Sequence, residues 1–432
     1  MPRFFINVFS VIIYATICWV VWKKRELLNL RCWPKDPTLF RIWAGWIVLL
    51  ALIAPLSSCQ TDMAVWMDSI VNLLHKKPLP GAYVYLPVYA ELSAALAVPF
   101  VLLGLQYTII LVYIIKLLVI FSYVYCAKLM SEILPEQSEL APLGIVLAPV
   151  TIFYIFFGTN HIVMFFCLLA SLVLIKKGKW FWSGFFAFFS CFKFLLVPTL
   201  LVLLVLLLIK HGSKKVLLFC LGGVLFLVPS FIYYYYDPAL LLKIIANQAA
   251  IGAHCHHIEP FHFFFSLTHF QPGFQNLYVG QKLWFYLCLS GIPLSILFYL
   301  CKRLNFCQCL AFSCAFVAIF ALEPFRLEPT IGLLWLDSVY RKDLRVQLGI
   351  FSILFVHAAV WYDLANSRIL EFHVSAPLFL WNFKGLFLGL VIIIVLLIIL
   401  FEKDKRDFMF EEFGTTNPLM ADKHRTRKAV RR

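Results

Sequence analysis

The sequence predicts an all-α protein, a polytopic bundle of transmembrane helices. Hydrophobic residues make up 62% of the chain and charged residues only 14%, whereas a soluble domain is closer to half apolar and a quarter charged. Several apolar runs reach the roughly 20 residues that a helix needs to cross the hydrocarbon core. Because a chain in lipid must satisfy its own backbone hydrogen bonds, each run is expected to be helical.

These apolar runs follow one another along the whole chain. Residues 5–22 lack a small-residue cleavage site and continue into a basic stretch, so we predict a retained span rather than a signal peptide. Residues 42–56, 216–236 and 385–401 are further runs of this kind. Together the runs predict about 11 to 13 helices in a bundle without a soluble domain, some of the helices being half-length or re-entrant.

Basic residues indicate which helix ends face the cytosol. The formal net charge is +15, and lysine and arginine concentrate in short loops and at the carboxyl end, as the positive-inside rule describes. The predicted cytosolic loops are 23–41, 176–179, 210–215, 301–303 and 341–345. We therefore predict one transmembrane bundle over residues 1–401 and a basic cytosolic tail over residues 402–432, which can touch anionic lipid.

Two long polar segments fall on the opposite, outer or lumenal, side. Residues 57–82 follow the run at 42–56, and residues 237–281 are rich in histidine. Residues 323–329 and 364–377 fall on the same side if each neighbouring run crosses once. The active face is therefore predicted to point outward.

Two segments do not fit single crossings. Residues 180–209 lie between two basic loops and are too short for two full spans, so we predict two half-length helices that meet near "CFKFLLVP". The acidic segment 131–139 is predicted to be external, while the basic loop 176–179 is internal. The chain between them must then cross an odd number of times, so one half is expected to be re-entrant or in-plane, with "GTNH" near its turn.

The outer segment 57–82 contains the first candidate for chemistry. Apolar residues recur at helical spacing in "TDMAVWMDSIVNLL", which predicts an amphipathic helix in the membrane plane. Thr61 is a candidate N-cap, and Asp62 opens the first turn, where backbone N–H groups favour a carboxylate. Asp62 is thus either a functional acid or only a helix-start residue. Asp68 lies about 240° further round the helix and is interpreted as solvated.

Polar contacts for a substrate are predicted in both outer segments. In "YVYLPVY" we select Tyr85 as a substrate contact, and the other tyrosines fit an interfacial aromatic belt. The second segment has five histidines within sixteen residues, at positions 254, 256, 257, 262 and 269. Their spacing matches no recognised metal site. Asn247 and His257 are the preferred polar contacts here, for the phosphate or sugar hydroxyl that the family resemblance described next implies, with ordinary surface chemistry as the alternative.

The order of these segments resembles a known family. The pieces are "DMAVW" on the amphipathic helix, a proline-rich turn, "YVYLPVY", "GTNH", the run that contains "CFKFLLVP" and, later, "NQAAIG". Over about residues 40–275 they are similar in order and spacing to the GT-C class of polyprenyl-phosphate-sugar-dependent membrane glycosyltransferases. The most similar branch is that of bacterial mannosyl- and arabinofuranosyltransferases.

The resemblance implies a GT-C-like fold and an inverting transfer of a single sugar, mannose or a pentose, from a polyprenyl-phosphate donor to a glycolipid or glycan acceptor. It implies that Asp62 is the catalytic base. The chemistry agrees, because the phosphate leaves as a stabilised anion whereas the attacking hydroxyl must lose a proton. One base and an in-line attack imply inversion. Asn160 occupies the position of a substrate contact in the family.

Two cationic side chains within or near the bilayer are candidate contacts for the donor phosphate. An unpaired Lys or Arg costs at least about 2.5 kcal/mol at the centre of a transmembrane helix, so each should have a partner. Lys193 lies at the predicted break between half-helices, and Arg326 lies between two glutamates in "EPFRLEP". Arg326 could bind a phosphate bidentately or form a salt bridge with a flanking glutamate. Lys193 could instead extend along the helix to the interface.

The resemblance also bears on cofactors, partners and location. No cofactor is expected and a divalent metal is not obligatory, since no D-x-D motif lies near the membrane surface. The expected partners are the donor, the acceptor and membrane lipid, and no nucleic acid. A bacterial plasma membrane is favoured over the endoplasmic reticulum, with the site on the outer face. The alternatives are a polytopic transporter or lipid flippase, which also uses half-helices and intramembrane charges, and a non-catalytic scaffold.

Overall fold

The fold is helical throughout the described part of the chain. The computed structural model describes residues 35–56, 103–104, 109–134, 151–152, 161–192, 196–236, 238–239, 277–320, 327–369 and 378–402, and the single residues 12, 16, 19, 155 and 409. Among these residues there are eleven α-helices and no strand. The predicted all-α class is confirmed over them. The outer segments 57–82 and 237–281 lie almost entirely outside the described residues.

The described helices are numbered here in chain order. They are α1 (Pro37–Ile53), α2 (Ile109–Ile133), α3 (His161–Lys176), α4 (Trp180–Phe189), α5 (Val197–His211), α6 (Ser213–Tyr236), α7 (Leu277–Leu300), α8 (Phe306–Phe320), α9 (Glu328–Arg341), α10 (Leu344–Ile369) and α11 (Leu378–Phe401). A 3-10 turn, Ala54–Leu56, continues α1.

Two described segments are long and apolar enough to cross a membrane, judged by length and composition alone. They are Pro37–Leu56 and Val112–Ile133. The described residues also contain shorter apolar helical stretches of 10–17 residues, some of them parts of longer helices. The larger number of crossings expected from the sequence therefore stays a prediction.

Two basic turns meet the carboxyl end of α2. In the α3–α4 turn, Lys177 Nζ lies 2.8 Å from Glu132 Oε2 in the last turn of α2. The α5–α6 turn lies beside the α3–α4 turn, because the His211 ring lies 4.8 Å from the ring of Trp180, the first residue of α4. Lys215 Nζ also lies 5.1 Å from the centre of a Trp180 ring. The carboxyl ends of α2, α3 and α5 therefore lie together.

The remaining basic turns lie together at the ends of α7 to α11. Asn305, just before α8, donates a hydrogen bond of 2.8 Å from Nδ2 to Asp337 Oδ1 in α9. Arg341 ends α9 and contacts the Glu402 carboxylate, directly after α11. Arg345, in the first turn of α10, reaches the same carboxylate at 3.4 Å.

The helices α3 and α9 connect these two groups of turns. They run parallel, because His161 and Glu328, their first residues, approach to 3.9 Å. One turn further along, a Cβ atom on Gly332 would overlap the Phe165 ring. The described basic turns (176–179, 210–215, 301–303 and 341–345) therefore share one end of the bundle, the basic end. The prediction that these loops lie on the same side is confirmed in this sense: the described turns share one end of the bundle.

The predicted position of the acidic segment 131–139 is wrong for its described residues, 131–134. Glu132 lies at the basic end, paired with Lys177, and Lys176 Nζ donates a hydrogen bond of 2.9 Å to the backbone oxygen of Ile133. Because α2 and α3 both end here, the chain between them has to leave the basic end and return to it. The chain from the end of α2 to the end of α3 therefore crosses an even number of times. The re-entrant half that an odd number required is not needed.

The predicted pair of short helices in residues 180–209 is confirmed. α4 has 10 residues and α5 has 15. The contact between Trp180 and His211 brings the first residue of α4 and the last residue of α5 together. α4 also packs tightly on α6, where a Cβ atom on Gly184 or Gly222 would overlap the backbone of the facing helix. Glycine at these two positions therefore allows the close approach of α4 to α6.

A second short hairpin, α8–α9, also begins and ends at the basic end. Its helices have 15 and 14 residues, and α8 packs on α5. In that contact Thr199 Oγ1 lies 3.2 Å from Cys314 Sγ and 3.4 Å from Ser313 Oγ. The two hairpins thus pack on each other through α5 and α8, and the sequence did not indicate the second one.

Candidate functional site

The predicted site residues lie outside the described part of the chain. They are Asp62, Tyr85, Asn160, Lys193, Asn247, His257 and Arg326. Two of them adjoin described residues in the sequence, because Asn160 directly precedes His161 and Arg326 precedes Glu328 by two positions. The described residues next to these two predicted contacts form a buried polar group.

His161 and Glu328 are the centre of this group. His161 Nδ1 lies 3.9 Å from Glu328 Oε1, and each side chain is 5% exposed. This separation exceeds a hydrogen-bond length, so the contact is ionic when the imidazole is protonated. Each residue begins its helix, and both helix starts lie opposite the basic end. The pair therefore joins two chain segments that are far apart in sequence.

Helix α2 contributes polar side chains to the same carboxylate. The Tyr123 and Thr151 hydroxyl groups are hydrogen-bonded to each other, and the Glu328 carboxylate acts electrostatically on both Tyr123 and Cys126. Tyr123 is 2% exposed and Thr151 is fully buried. A long side chain in a helix leans toward the helix amino end, which directs Tyr123 away from the basic end and toward Glu328.

We call these five residues, Tyr123, Cys126, Thr151, His161 and Glu328, the recessed cluster. Its position follows from the local sequence of α9. Pro329 follows Glu328 and suits the first turn of a helix, where its missing N–H is not required. Because Gly332 has no side chain, Phe165 can pack directly on α9. That packing sets the two helices at the register in which their first residues meet.

A buried lysine lies toward the same end of the bundle. Lys116 in α2 is fully buried, and its Nζ donates a hydrogen bond of 2.7 Å to the backbone oxygen of Ala54. Ala54 is the C-cap of α1, where carbonyl groups lack partners within the helix. The lysine thus joins the end of α1 to α2, about 25 Å along α2 from its basic end.

The recessed cluster can accept and donate hydrogen bonds and can exchange protons. It combines a carboxylate, an imidazole, a phenol and a hydroxyl in a water-poor setting, where polar interactions are stronger than in water. Among the described residues no group of three or more His, Cys, Asp or Glu side chains could hold a metal ion. The chemistry that the described residues support here is hydrogen bonding to a hydroxyl-rich ligand, or proton transfer.

The basic end contains a second buried polar group, centred on Asp337. This carboxylate is fully buried and accepts hydrogen bonds from Asn305 Nδ2 at 2.8 Å, from Gln308 Nε2 at 3.0 Å and from Arg341 Nε at 2.9 Å. Asn305 and Gln308 also cap α8 reciprocally, each side chain accepting from the backbone N–H of the other, as in a capping box. Arg341 then continues to Glu402. We call these five residues the basic-end network.

Asp343 extends this network at the α9–α10 turn. Its Oδ1 accepts a hydrogen bond of 3.0 Å from the Arg345 backbone N–H, which caps α10. Burial raises the pKa of Asp343, but hydrogen bonds with Glu402 and Arg345 and the charge of Arg345 outweigh this effect and lower the pKa to about 2. Asp343 is therefore ionised at neutral pH, as a helix N-cap next to an arginine should be.

Sequence reasoning treated Glu328 only as a neighbour of Arg326, and it missed His161 and the whole basic-end network. A signal existed for each group. Glu328 and His161 each stand where a polar segment enters an apolar run, and an ionisable residue at such a place indicates function. In the basic-end network, Asp337 and Arg341 have the i, i+4 spacing of a helical ion pair.

The comparisons with known proteins do not supply a family. The chain matches no protein-family model, no curated protein and no solved structure. The function therefore has to be argued from the residues and their geometry.

Proposed function

We propose that the protein is a polytopic membrane glycosyltransferase of the GT-C class. It transfers a single sugar, mannose or a pentose, from a polyprenyl-phosphate donor to a glycolipid or glycan acceptor on the outer face of a bacterial plasma membrane. Asp62 is the base that takes the proton of the acceptor hydroxyl. The donor phosphate leaves as an anion, with Lys193 and Arg326 as its candidate contacts.

Exposed apolar side chains support the membrane part of this proposal. In α1 only Leu50 is buried, while Val48 exposes 57% and Leu52 66% of its surface. In α10 Phe355 is 78% exposed. Apolar surface on this scale is unfavourable in water and indicates contact with lipid or a partner.

The observation that carries the proposal is the gathering of the basic turns at one end. By the positive-inside rule that end faces the cytosol. The end of α1, beside Lys116, then belongs to the outer half, and the segment with Asp62 continues from it. The recessed cluster belongs to the same half, next in sequence to the predicted contacts Asn160 and Arg326. The proposal therefore assigns the acid, the predicted contacts and the buried polar group to the same side of the membrane.

The depth of the recessed cluster suits a lipid-borne donor. α3 and α9 have 16 and 14 residues, so they extend roughly 21–24 Å from the basic end at ~1.5 Å per residue. The hydrocarbon core is about 30 Å thick. Their first residues therefore lie several ångströms below the outer boundary, at a level that a prenyl-linked sugar can reach from within the bilayer.

Sugar transfer by the purified full chain tests the proposal. A panel of polyprenyl-phosphate sugars is supplied in detergent to the wild type, to Asp62→Asn and to the matched control Asp68→Asn. We expect transfer of one sugar with inversion, a loss of at least about 100-fold in kcat for Asp62→Asn, and near-normal rates for Asp68→Asn. Equal transfer by Asp62→Asn would reject Asp62 as the base, and no transfer by the wild type would reject the proposed function.

A proton-coupled transporter is the second candidate, because a buried carboxylate next to an imidazole is also how proton relays are built. Reconstituted vesicles separate the two functions. A transporter moves solute across the vesicle membrane without forming a glycosidic bond, and Glu328→Gln would stop that movement. The transferase forms product in detergent, where no gradient exists.

A further inference from the structure

We propose that the α3–α4 and α5–α6 turns bind the phosphate headgroup of an anionic phospholipid. Its contacts are Lys179, Lys214 and Lys215, and the exposed face of α6 next to them accepts an acyl chain. The site lies at the basic end, on the opposite side of the bundle from the site proposed for sugar transfer. The inference therefore goes beyond the proposed function and depends only on its membrane location.

The first argument is the excess of positive charge in these two turns. Residues 176–179 and 210–215 contain six lysines and no acidic residue. Glu132 reaches them from α2, but its carboxylate is paired with Lys177 and so compensates one lysine. The two turns together therefore remain strongly positive, and a charged surface of this kind attracts anionic lipid.

The other group of basic turns, at the ends of α7 to α11, differs in this respect. There the guanidinium groups of Arg341 and Arg345 contact carboxylates of the same fold. These carboxylates belong to Asp337, Asp343 and Glu402. Part of the positive charge of that group is thus compensated internally, whereas the α3–α4 and α5–α6 turns leave theirs for an anion from outside the fold.

The second argument is that the lysines of the two turns lie side by side. At the basic end Lys215 Nζ lies 5.1 Å from the centre of a Trp180 ring. Further along the same helices the Phe189 and Phe226 rings stack at 5.0 Å, so α4 and α6 run parallel from this end. Lys179 directly precedes α4. The starts of the two helices, with their lysines, are therefore neighbours.

The stability of these helices does not explain the lysines. A helix start carries partial positive charge, so a cation in the first turn is unfavourable there and an acidic residue is favourable. Lys214 and Lys215 both lie in the first turn of α6, and neither α4 nor α6 has an acidic residue at its start. A bound phosphate would offset the repulsion among the lysines and the two helix starts.

The third argument is the apolar surface next to the lysines, which indicates a lipid rather than a free anion. One face of α6 contains, at the i, i+3, i+4 and i+7 spacing, Lys214, Leu217, Leu218 and Leu221. The three leucines expose 62%, 47% and 48% of their surface. Trp180, half-buried at the same level, has the amphipathic ring typical of the headgroup region. A free phosphate would leave the leucines uncovered, whereas an acyl chain covers them.

The test measures lipid binding by the purified full chain in detergent. Native mass spectrometry counts bound dioleoyl-phosphatidylglycerol, which is anionic, and dioleoyl-phosphatidylcholine, which is zwitterionic and has the same acyl chains. The quantity compared is the ratio of the Kd for phosphatidylcholine to the Kd for phosphatidylglycerol. In the wild type we expect a ratio of at least about ten, or ~1.4 kcal/mol. Inorganic phosphate, at the same concentration as the lipid, should not displace phosphatidylglycerol.

The double variant Lys214→Gln with Lys215→Gln should bring this ratio close to one. The matched control is Lys302→Gln with Arg303→Gln, which removes two exposed cations from the other group of basic turns and should keep the ratio. Replacing Lys214 and Lys215 by arginine keeps both charges and should keep most of the ratio. If the double glutamine variant does not fold, Lys214→Gln alone should lower the ratio part of the way.

The remaining outcomes decide against this site or against the proposed function separately. Equal losses in the two double glutamine variants would show a general attraction of lipid to the basic end and overturn the site, as would a wild-type ratio of one. Displacement by inorganic phosphate would show a site for free anions and overturn the lipid. Because these measurements use no sugar donor, absence of sugar transfer with an intact ratio rejects only the transferase.

Discussion

The two buried polar groups of this molecule differ in the kind of contact that their carboxylates make. In the basic-end network, Asp337 accepts hydrogen bonds from Asn305, Gln308 and Arg341. In the recessed cluster, Glu328 is 3.9 Å from His161, a distance too long for a hydrogen bond. Both groups join helices that are remote in sequence, and both lie at helix ends.

This difference separates a structural from a functional role. A carboxylate that receives several short hydrogen bonds within the fold has its acceptor capacity used, and it fixes the helices around it. The contact between Glu328 and His161 is longer, at 3.9 Å, and it is ionic only when the imidazole is protonated. We therefore expect substitutions in the basic-end network to reduce stability more than substitutions in the recessed cluster.

The largest effect on stability is expected from Asp337→Asn. The change removes one of the two carboxylates that compensate the Arg341 guanidinium, whose side chain is only 1% exposed, and breaking a buried pair costs up to about 3–5 kcal/mol. Thermal unfolding of the purified protein in detergent measures the loss. Glu328→Gln is the matched isosteric change in the recessed cluster and should cost about 1 kcal/mol or less. Equal losses would contradict the proposed division of roles.

A somewhat smaller effect is expected from Gly332→Ala, which alters the packing below the recessed cluster. The added Cβ atom overlaps the Phe165 ring, so α3 and α9 must separate slightly, at a cost of up to about 3 kcal/mol for an overpacked core. Gly45→Ala in α1 is the control, because nothing lies within 4 Å of its added Cβ atom and alanine favours a helix by up to about 1 kcal/mol.

Acidification should lower the free energy of unfolding, because Asp343 at the basic end becomes protonated. Because the pKa of Asp343 in the folded protein is lowered to about 2, below that of an unfolded aspartate, its contribution is complete above about pH 4 and is lost as the pH falls toward 2. At ~1.4 kcal/mol per pK unit, a pKa lowered from 3.8 to about 2 makes the contribution at most about 2.5 kcal/mol. Unfolding measured from pH 5 to pH 2 should show a flatter pH dependence for Asp343→Asn than for the wild type. Parallel curves would show that Asp343 does not carry this dependence.

The smallest effect is expected from Lys177→Ala. Its pair with Glu132 is partly exposed, at 35% and 17% of the two side chains, and exposed pairs contribute below about 1 kcal/mol. The pair is nevertheless informative about sidedness. Epitope tags inserted in residues 135–139 and at residue 178 should be accessible from the same side of sealed vesicles. Accessibility from opposite sides would restore the odd number of crossings.

The sequence predicted the short α4–α5 hairpin correctly for a physical reason. Two basic loops lie too close together for two complete spans and both belong to one side, so the chain must turn back within the bundle. The acidic segment 131–139 was assigned wrongly because acidic residues contribute little to sidedness. Glu132 instead compensates a charge of the neighbouring turn, through Lys177.

The candidate site could be predicted only in part. The predicted contacts Asn160 and Arg326 lie one and two positions before His161 and Glu328, the pair that the structure brings together. The sequence could not identify that pair, because the meeting of α3 with α9 depends on packing between residues far apart in sequence. The assignments of Asp62, Tyr85, Lys193, Asn247 and His257 stay predictions.

By itself, the sequence determined the helical class of this protein and the common end of its basic turns. Both depend on local properties, since the length and polarity of a segment decide whether it forms a helix and its charges decide which end of the bundle it occupies. Only the tertiary structure decided which buried acids meet which bases. That choice depends on close contacts such as Phe165 against Gly332, where the absence of one side chain sets the register of two distant helices.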